Sequence, residues 1–232
     1  MKKIKIFSLS ILFILIANFF SYSQKLSSDK IFYNSKGQTV NCLKATNVEL
    51  NKSGHIISGV LALNQTFNNG KNSEVNCMAN HYVDFYESGI LFKATIAEEK
   101  TFYNGKNASV KCMAEQEVSF FESGKLKSAF LVENSIFYNG KNARVECLQG
   151  RKISFFESGR IESAMLNNNS TFYNGQNKTV SCAKNSLIMF YESGNIMTGT
   201  ISTNSIYYTA TNQARQFKKG ETVFFSDEGF VN

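Results

Sequence analysis

The chain has no proline and no tryptophan, and only two histidines among its 232 residues. Without proline every backbone position keeps its N–H, so long uninterrupted ladders are open to it, and turns must be made by other residues. His55 and His81 are the whole imidazole supply, which leaves little for a histidine-based metal site or general base. Cys-x-x-Cys, His-Glu-x-x-His, Gly-x-Ser-x-Gly and a glycine-rich phosphate loop are all missing, and each would be needed for the chemistry it signals. A second membrane-spanning run is missing too. The expectation is a non-enzymatic protein with no catalytic residues, no bound metal and no cofactor.

The N-terminus reads as an export leader. Lys2, Lys3 and Lys5 precede an almost unbroken apolar run from Ile6 to Phe20, and Ser21-Tyr22-Ser23 then places small residues before Gln24. Basic, apolar and small segments in that order mark a secretory signal peptide. The apolar core is short for a membrane anchor, which needs ~20 residues. The reading is therefore a leader over 1–23 and a linker over 24–30, with the remainder exported to the periplasm, the outer-membrane surface or the medium. No cysteine follows the apolar run, so the lipid-anchored version of the signal is absent. Without the leader, 22 basic residues face 18 acidic ones, a net charge of +4, with the signs mixed. Such a surface gives no reason to expect a nucleic-acid partner.

What is abundant is β-forming. There are 21 Phe and 10 Tyr, with many Val, Ile and Thr, the residues that suit pleated, half-buried surfaces. Self-similarity organises them. Cys42, Cys77, Cys112, Cys147 and Cys182 stand 35 residues apart, and Gly54, Gly89, Gly124, Gly159, Gly194 and Gly229 keep the same step. Five copies run over 31–65, 66–100, 101–135, 136–170 and 171–205, and a shortened copy over 206–232. Each unit carries two hairpin signatures. In the fourth, Ile136-Phe137-Tyr138 leads through Asn139-Gly140-Lys141-Asn142 to Val145-Glu146-Cys147. Ile153-Ser154-Phe155-Phe156 then leads through Glu157-Ser158-Gly159-Arg160 to Ile161–Leu166. Asn-Gly between apolar runs is a strong hairpin signal because both residues tolerate positive φ. Four strands per unit, about twenty-two in all, predict an all-β fold.

Alternation identifies the inward side: Val145 with Cys147 and Ile153 with Phe155 share a face, while Asn, Lys, Glu, Ser and Asp vary on the other. One unit has too few apolar side chains to offset the ordering of 35 residues, so units must stabilise one another. Both ends depart from the pattern as caps do. Asn51-Lys52 replaces the aromatic-Glu pair, Phe217 stands where Cys is expected and Arg215 replaces Val. The expected architecture is an elongated antiparallel meander, with a β-solenoid as the alternative. In a meander holding all four strands, equivalent cysteines lie ~19 Å apart; in a solenoid they stack at ~4.8 Å, within disulfide reach.

Two sets of side chains are candidate partner-binding residues. The first is the aromatic beside the core Phe, Tyr86, Phe121, Phe156 and Tyr191, which alternation sends to the far face. The second is the set of variable polar positions, among them Lys111, Arg144 and Glu146. Phe120-Phe121-Glu122-Ser123-Gly124-Lys125-Leu126 and its copies resemble the hairpin of degenerate MORN-type repeats, and the longer unit resembles exported repeat proteins of Gram-negative bacteria. The resemblance implies an elongated antiparallel sheet and a scaffold for proteins or lipids. The leading expectation is an exported scaffold that binds a protein or glycan at the cell envelope. A structural spacer without a ligand is a second reading, and a toxin-immunity-like protein, suggested by the resemblance alone, is a third.

Overall fold

A computed structural model describes residues 21–71, 73–105, 108–141 and 143–231. Residues 1–20, which hold the basic and apolar parts of the expected leader, and Asn142 of the expected turn lie outside them.

The described residues form 24 strands and no helix. A lone strand β1 (Tyr22–Lys25) precedes the first unit, which contains β2 (Lys30–Tyr33), β3 (Thr39–Cys42), β4 (Asn47–Leu50) and β5 (Ile56–Val60). The second unit holds β6 (Gln65–Asn68), β7 (Glu74–Cys77), β8 (Tyr82–Phe85) and β9 (Leu91–Thr95), and the third holds β10 (Lys100–Tyr103), β11 (Ser109–Cys112), β12 (Glu117–Phe120) and β13 (Leu126–Phe130). The fourth comprises β14 (Ser135–Tyr138), β15 (Arg144–Cys147), β16 (Lys152–Phe155) and β17 (Ile161–Met165), and the fifth β18 (Ser170–Tyr173), β19 (Thr179–Cys182), β20 (Leu187–Phe190) and β21 (Ile196–Thr200). The shortened copy supplies β22 (Ser205–Tyr208), β23 (Ala214–Phe217) and β24 (Thr222–Phe224). The two strands beyond the expected count are β1 and β24.

The strands divide into two layers, and here the arrangement departs from a single four-strand meander. Only the second hairpin of each unit joins the long sheet, a 12-stranded antiparallel ladder in the order β1-β4-β5-β8-β9-β12-β13-β16-β17-β20-β21-β24. The first hairpins stand apart as six two-stranded sheets. The physical reason is the one-sided apolar pattern: a sheet with one apolar face must cover it, and the chain covers it with its own first hairpin. The Phe67 ring meets Phe85 edge-on at 5.0 Å, and Phe102 meets Phe120 in the same way. Phe137 with Phe155 and Phe172 with Phe190 repeat the contact. Around each pair lie fully buried Val, Cys, Leu and Ile residues, which merge into one continuous core along the array.

The layers are tied at one edge. The end of each second hairpin crosses back to pair with the cysteine of the first, as Cys42↔Leu61, Cys77↔Ile96, Cys112↔Leu131, Cys147↔Leu166 and Cys182↔Ile201. All five cysteines are buried and free, each in its own hairpin, so the stacked solenoid is not what forms. The residue over each sulfur is small: a Cβ added to Gly59 would come 3.1 Å from the Cys42 Sγ, and Ala94, Ala129 and Ala164 occupy the same place in the next units.

Units are tied to one another at the turns. Asn34, Asn69, Asn104, Asn139 and Asn174 are buried, and each donates its side-chain amide to the turn glycine of the following unit, Gly89, Gly124, Gly159, Gly194 and Gly229, at 2.8–3.1 Å. The carbonyl oxygen of Asn139 accepts from the amides of Lys141 and Ala143 in its own turn. The asparagine of the Asn-Gly signal therefore works through its side chain; the positive φ of that turn belongs to Gly140, at +98°. The repeated glycines are required because φ is positive and a neighbouring turn presses on them. At Gly124 a Cβ would stand 2.6 Å from the Asn69 carbonyl oxygen. At Gly54, in the first unit, it would meet nothing within 4 Å.

The segment before the first unit is part of the fold. Gln24 and Lys25 belong to β1, which pairs with β4 as Tyr22↔Leu50 through Lys25↔Asn47, and Leu26 is buried.

Candidate functional site

The two candidate sets lie on opposite outer faces and do not form one site. Tyr86, Phe121, Phe156 and Tyr191 follow inward-facing phenylalanines at the ends of β8, β12, β16 and β20, so alternation turns them to the far side of the long sheet. They are half-buried there. The Tyr86 hydroxyl donates to the Phe120 carbonyl at 2.9 Å and that of Tyr191 to the Phe225 carbonyl at 2.8 Å, in each case reaching the next unit. The Tyr86 ring meets Phe92 edge-on at 5.1 Å, and the Lys127 ammonium lies over both Phe92 and Phe121. Burial raises the Tyr86 phenol above its ordinary pKa, and Glu122 and Glu157 add to the rise. This row packs unit against unit.

The same face carries a chain of alternating charge. Asp84 accepts from the Ser58 hydroxyl at 2.6 Å and pairs with Lys93 at 3.1 Å. Lys93 also faces Glu117 at 3.9 Å, and Glu117 pairs with Lys152 at 3.2 Å. The hydrogen bond to Asp84 raises the Lys93 pKa above its usual value, against partial desolvation. Every member has a counter-charge.

Lys111, Arg144 and Glu146 lie on the opposite side of the molecule, on the outward face of the first hairpins. Lys111 stands across from Thr101 in the β10–β11 ladder, Arg144 across from Tyr138 and Glu146 across from Ile136. Lys111 pairs with Glu99 at 3.1 Å and Arg144 with Glu146 at 3.8 Å, while Glu146 also accepts from the Asn168 side-chain amide. Exposed ion pairs of this kind hold little energy and exchange readily with a ligand's own groups.

Between these polar residues stands a row of side chains absent from the sequence-based candidates. Tyr33, Tyr103, Tyr138 and Tyr173 are 56%, 62%, 57% and 47% exposed, with Ile31, Ile136 and Ile206 beside them. Their signal was available: in Phe-Tyr-Asn the Phe faces inward, so alternation sends the Tyr out, as it does for the second hairpins. Grooves open between successive hairpins. One of about 450 Å³ is lined by Asn69, Lys71, Ser73, Phe102 and Tyr103.

The cysteines offer no such reactivity. Burial pushes all five thiols up to about 12, so they stay protonated and poorly nucleophilic at neutral pH. His81 is exposed and its Nδ1 donates to the Ala79 carbonyl at 2.9 Å. Among the described residues no cluster of three or more His, Cys, Asp or Glu is placed to hold a metal ion, and no helix is long and apolar enough to cross a membrane.

Neither a protein-family model nor a curated protein sequence matches this chain.

Proposed function

We propose that the protein is an exported, non-enzymatic repeat scaffold that binds a protein or glycan at the cell envelope through the outward face of its first hairpins. The observation that carries this reading is the exposed row of Tyr33, Tyr103, Tyr138 and Tyr173. Exposed aromatics with a polar tip are the side chains most often found as binding anchors. Around them the polar residues change from unit to unit, Lys111 in one and Arg144 with Glu146 in the next, as selectivity requires. Export rests on the basic, apolar and small-residue order of the first 23 residues. The likeness of the second hairpin to MORN-type repeats fits a binding scaffold of that kind.

A structural spacer is the alternative, and the long sheet favours it, because its outer aromatics and charges are engaged between units. Binding to isolated envelope material separates the two. Saturable binding that falls at least tenfold in a Tyr103→Ala, Tyr138→Ala double variant, and again with Arg144→Ala and Glu146→Ala, supports the scaffold. Binding that is absent, or unchanged by all four substitutions, supports the spacer.

A further inference from the structure

The grooves between successive first hairpins form a graded series. One wall carries the outward Tyr or its replacement, and the other the residue that follows the turn of the preceding hairpin. Between the first and second hairpins these are Asn68 and Gln38, in a groove of about 370 Å³. Between the second and third they are Tyr103 and Ser73, with Lys71 beside them. The repeat then sets Tyr138 against Ala108 and Tyr173 against Ala143, and both alanines are partly buried against the core. In the next interval Lys178 takes the small residue's place, and its ammonium lies 4.0 Å from the centre of the Tyr208 ring. Three consecutive intervals thus pair a tyrosine with a small residue. A polar interval precedes them, and one occupied by the chain's own lysine follows.

Spacing and charge name the occupant. Each unit adds two strands to the long sheet, so the three tyrosines advance by ~9.6 Å per step. That is close to the length of one disaccharide in an extended β-linked glycan. A peptide strand repeats its side-chain direction every ~6.6 Å and falls out of step by the second groove. The apolar face of a sugar ring stacks on an aromatic ring, and Ser73, Ala108 and Ala143 leave room for it opposite each Tyr. The turn lysine recurs as Lys36, Lys71, Lys106 and Lys141. Lys71 and Lys141 are exposed, and neither enters an ion pair among the described residues. None of the residues lining the groove at Tyr103 is acidic.

We infer that the grooves at Tyr103, Tyr138 and Tyr173 bind one linear, acidic, β-linked polysaccharide chain, one disaccharide to a groove. Its sugar faces lie on the tyrosines and its carboxylates turn toward Lys71 and Lys141. This rests on the scaffold reading and narrows its ligand to a glycan. Because sheets twist, the row winds about the long axis, and a single dissolved chain follows it where a flat crystalline glycan surface does not. The three contacts belong to one ligand, so affinity rises steeply with chain length up to six sugars.

Calorimetric titration with hyaluronan oligosaccharides, whose disaccharide carries one carboxylate, tests this. The hexasaccharide should bind 1:1 and about a hundredfold more tightly than the disaccharide. Chitohexaose, of the same length without the carboxylate, should bind about tenfold more weakly, and poly-glutamate should not bind. Ala108→Lys repeats at Tyr138 what Lys178 does at Tyr208, at a position where the fifth unit already carries a lysine. It should weaken the hexasaccharide about tenfold with an unchanged thermal midpoint. Lys178→Ala frees the Tyr208 ring and should strengthen octasaccharide binding about tenfold, leaving the hexasaccharide within about twofold. Failure of the hexasaccharide to bind overturns the inference, as do equal binding of chitohexaose or poly-glutamate and indifference to Ala108→Lys. If the protein then still binds envelope material through Tyr103 and Tyr138, the scaffold reading stands with a protein as its ligand; if that binding is lost as well, both fall.

Discussion

The two layers are built by the same 35-residue grammar, yet they answer to different demands. In the long sheet every strand except β1 and β24 is hydrogen-bonded on both sides, and its outer aromatics and charges reach into the next unit. The first hairpins form two-stranded sheets of their own and join the rest through one backbone bridge at each cysteine, their inward Phe and Val, and their turn Asn. One layer is therefore a continuous load shared by all units, while the other is a row of semi-independent platforms free to vary on the outside. Stability should reside in the first and recognition in the second.

Alkaline pH should break the hairpin row most severely. An accessible thiol titrates near 9.0, and burial lifts the five folded thiols to about 12. Below pH 9 both states hold their protons and the stabilisation is complete. Between pH 9 and pH 12 only the unfolded chain releases them, so stability falls as pH rises. The urea midpoint should drop steeply over that window, and a variant with all five Cys→Ala should lose less over it, from a lower start.

In the sheet, Phe120→Ala removes a fully buried ring seated on Phe102 and should cost about 3–5 kcal/mol in urea unfolding. The tie between layers ranks next. Asn139→Ala leaves the Gly194 carbonyl without its donor and should cost about 1–3 kcal/mol. Thr209→Ala at the same place in the last unit reaches no following turn and should cost about half a kcal/mol or less. On the platforms, Tyr103→Ala and Lys111→Ala should move stability by less than about 0.5 kcal/mol. A Tyr103→Ala variant as unstable as Phe120→Ala would erase the distinction between the layers.

Much of this was legible in the residues. The 35-residue step, the two hairpins per unit and the inward positions of Val145, Cys147, Ile153 and Phe155 all follow from spacing and alternation, and the structure has them. Which hairpins share a sheet was not, because pairing between β5 and β8 depends on contacts between units that local pattern does not encode. Asn139 was misassigned for a similar reason. A polar residue before glycine reads as a turn former, and only the approach of Gly194 from the next unit makes it a buried donor. The candidate aromatics Tyr86 and Phe121 obey alternation and lie half-buried against the next unit. Tyr103 and Tyr138 obey it too, on a layer where no described residue covers them. The strand character of Gln24 and Lys25 emerges only when they are aligned with Gly199 and Thr200.

The central claim is that residues one period apart do the same physical work. Deleting residues 101–135 removes one period and leaves Lys100 joined to Ile136, in register; deleting 101–118 removes half of one. The first variant should give the far-ultraviolet spectrum of the parent per residue and a single cooperative thermal transition, and the second should not fold. If both variants unfold, or both fold equally well, the units are not interchangeable and the account fails.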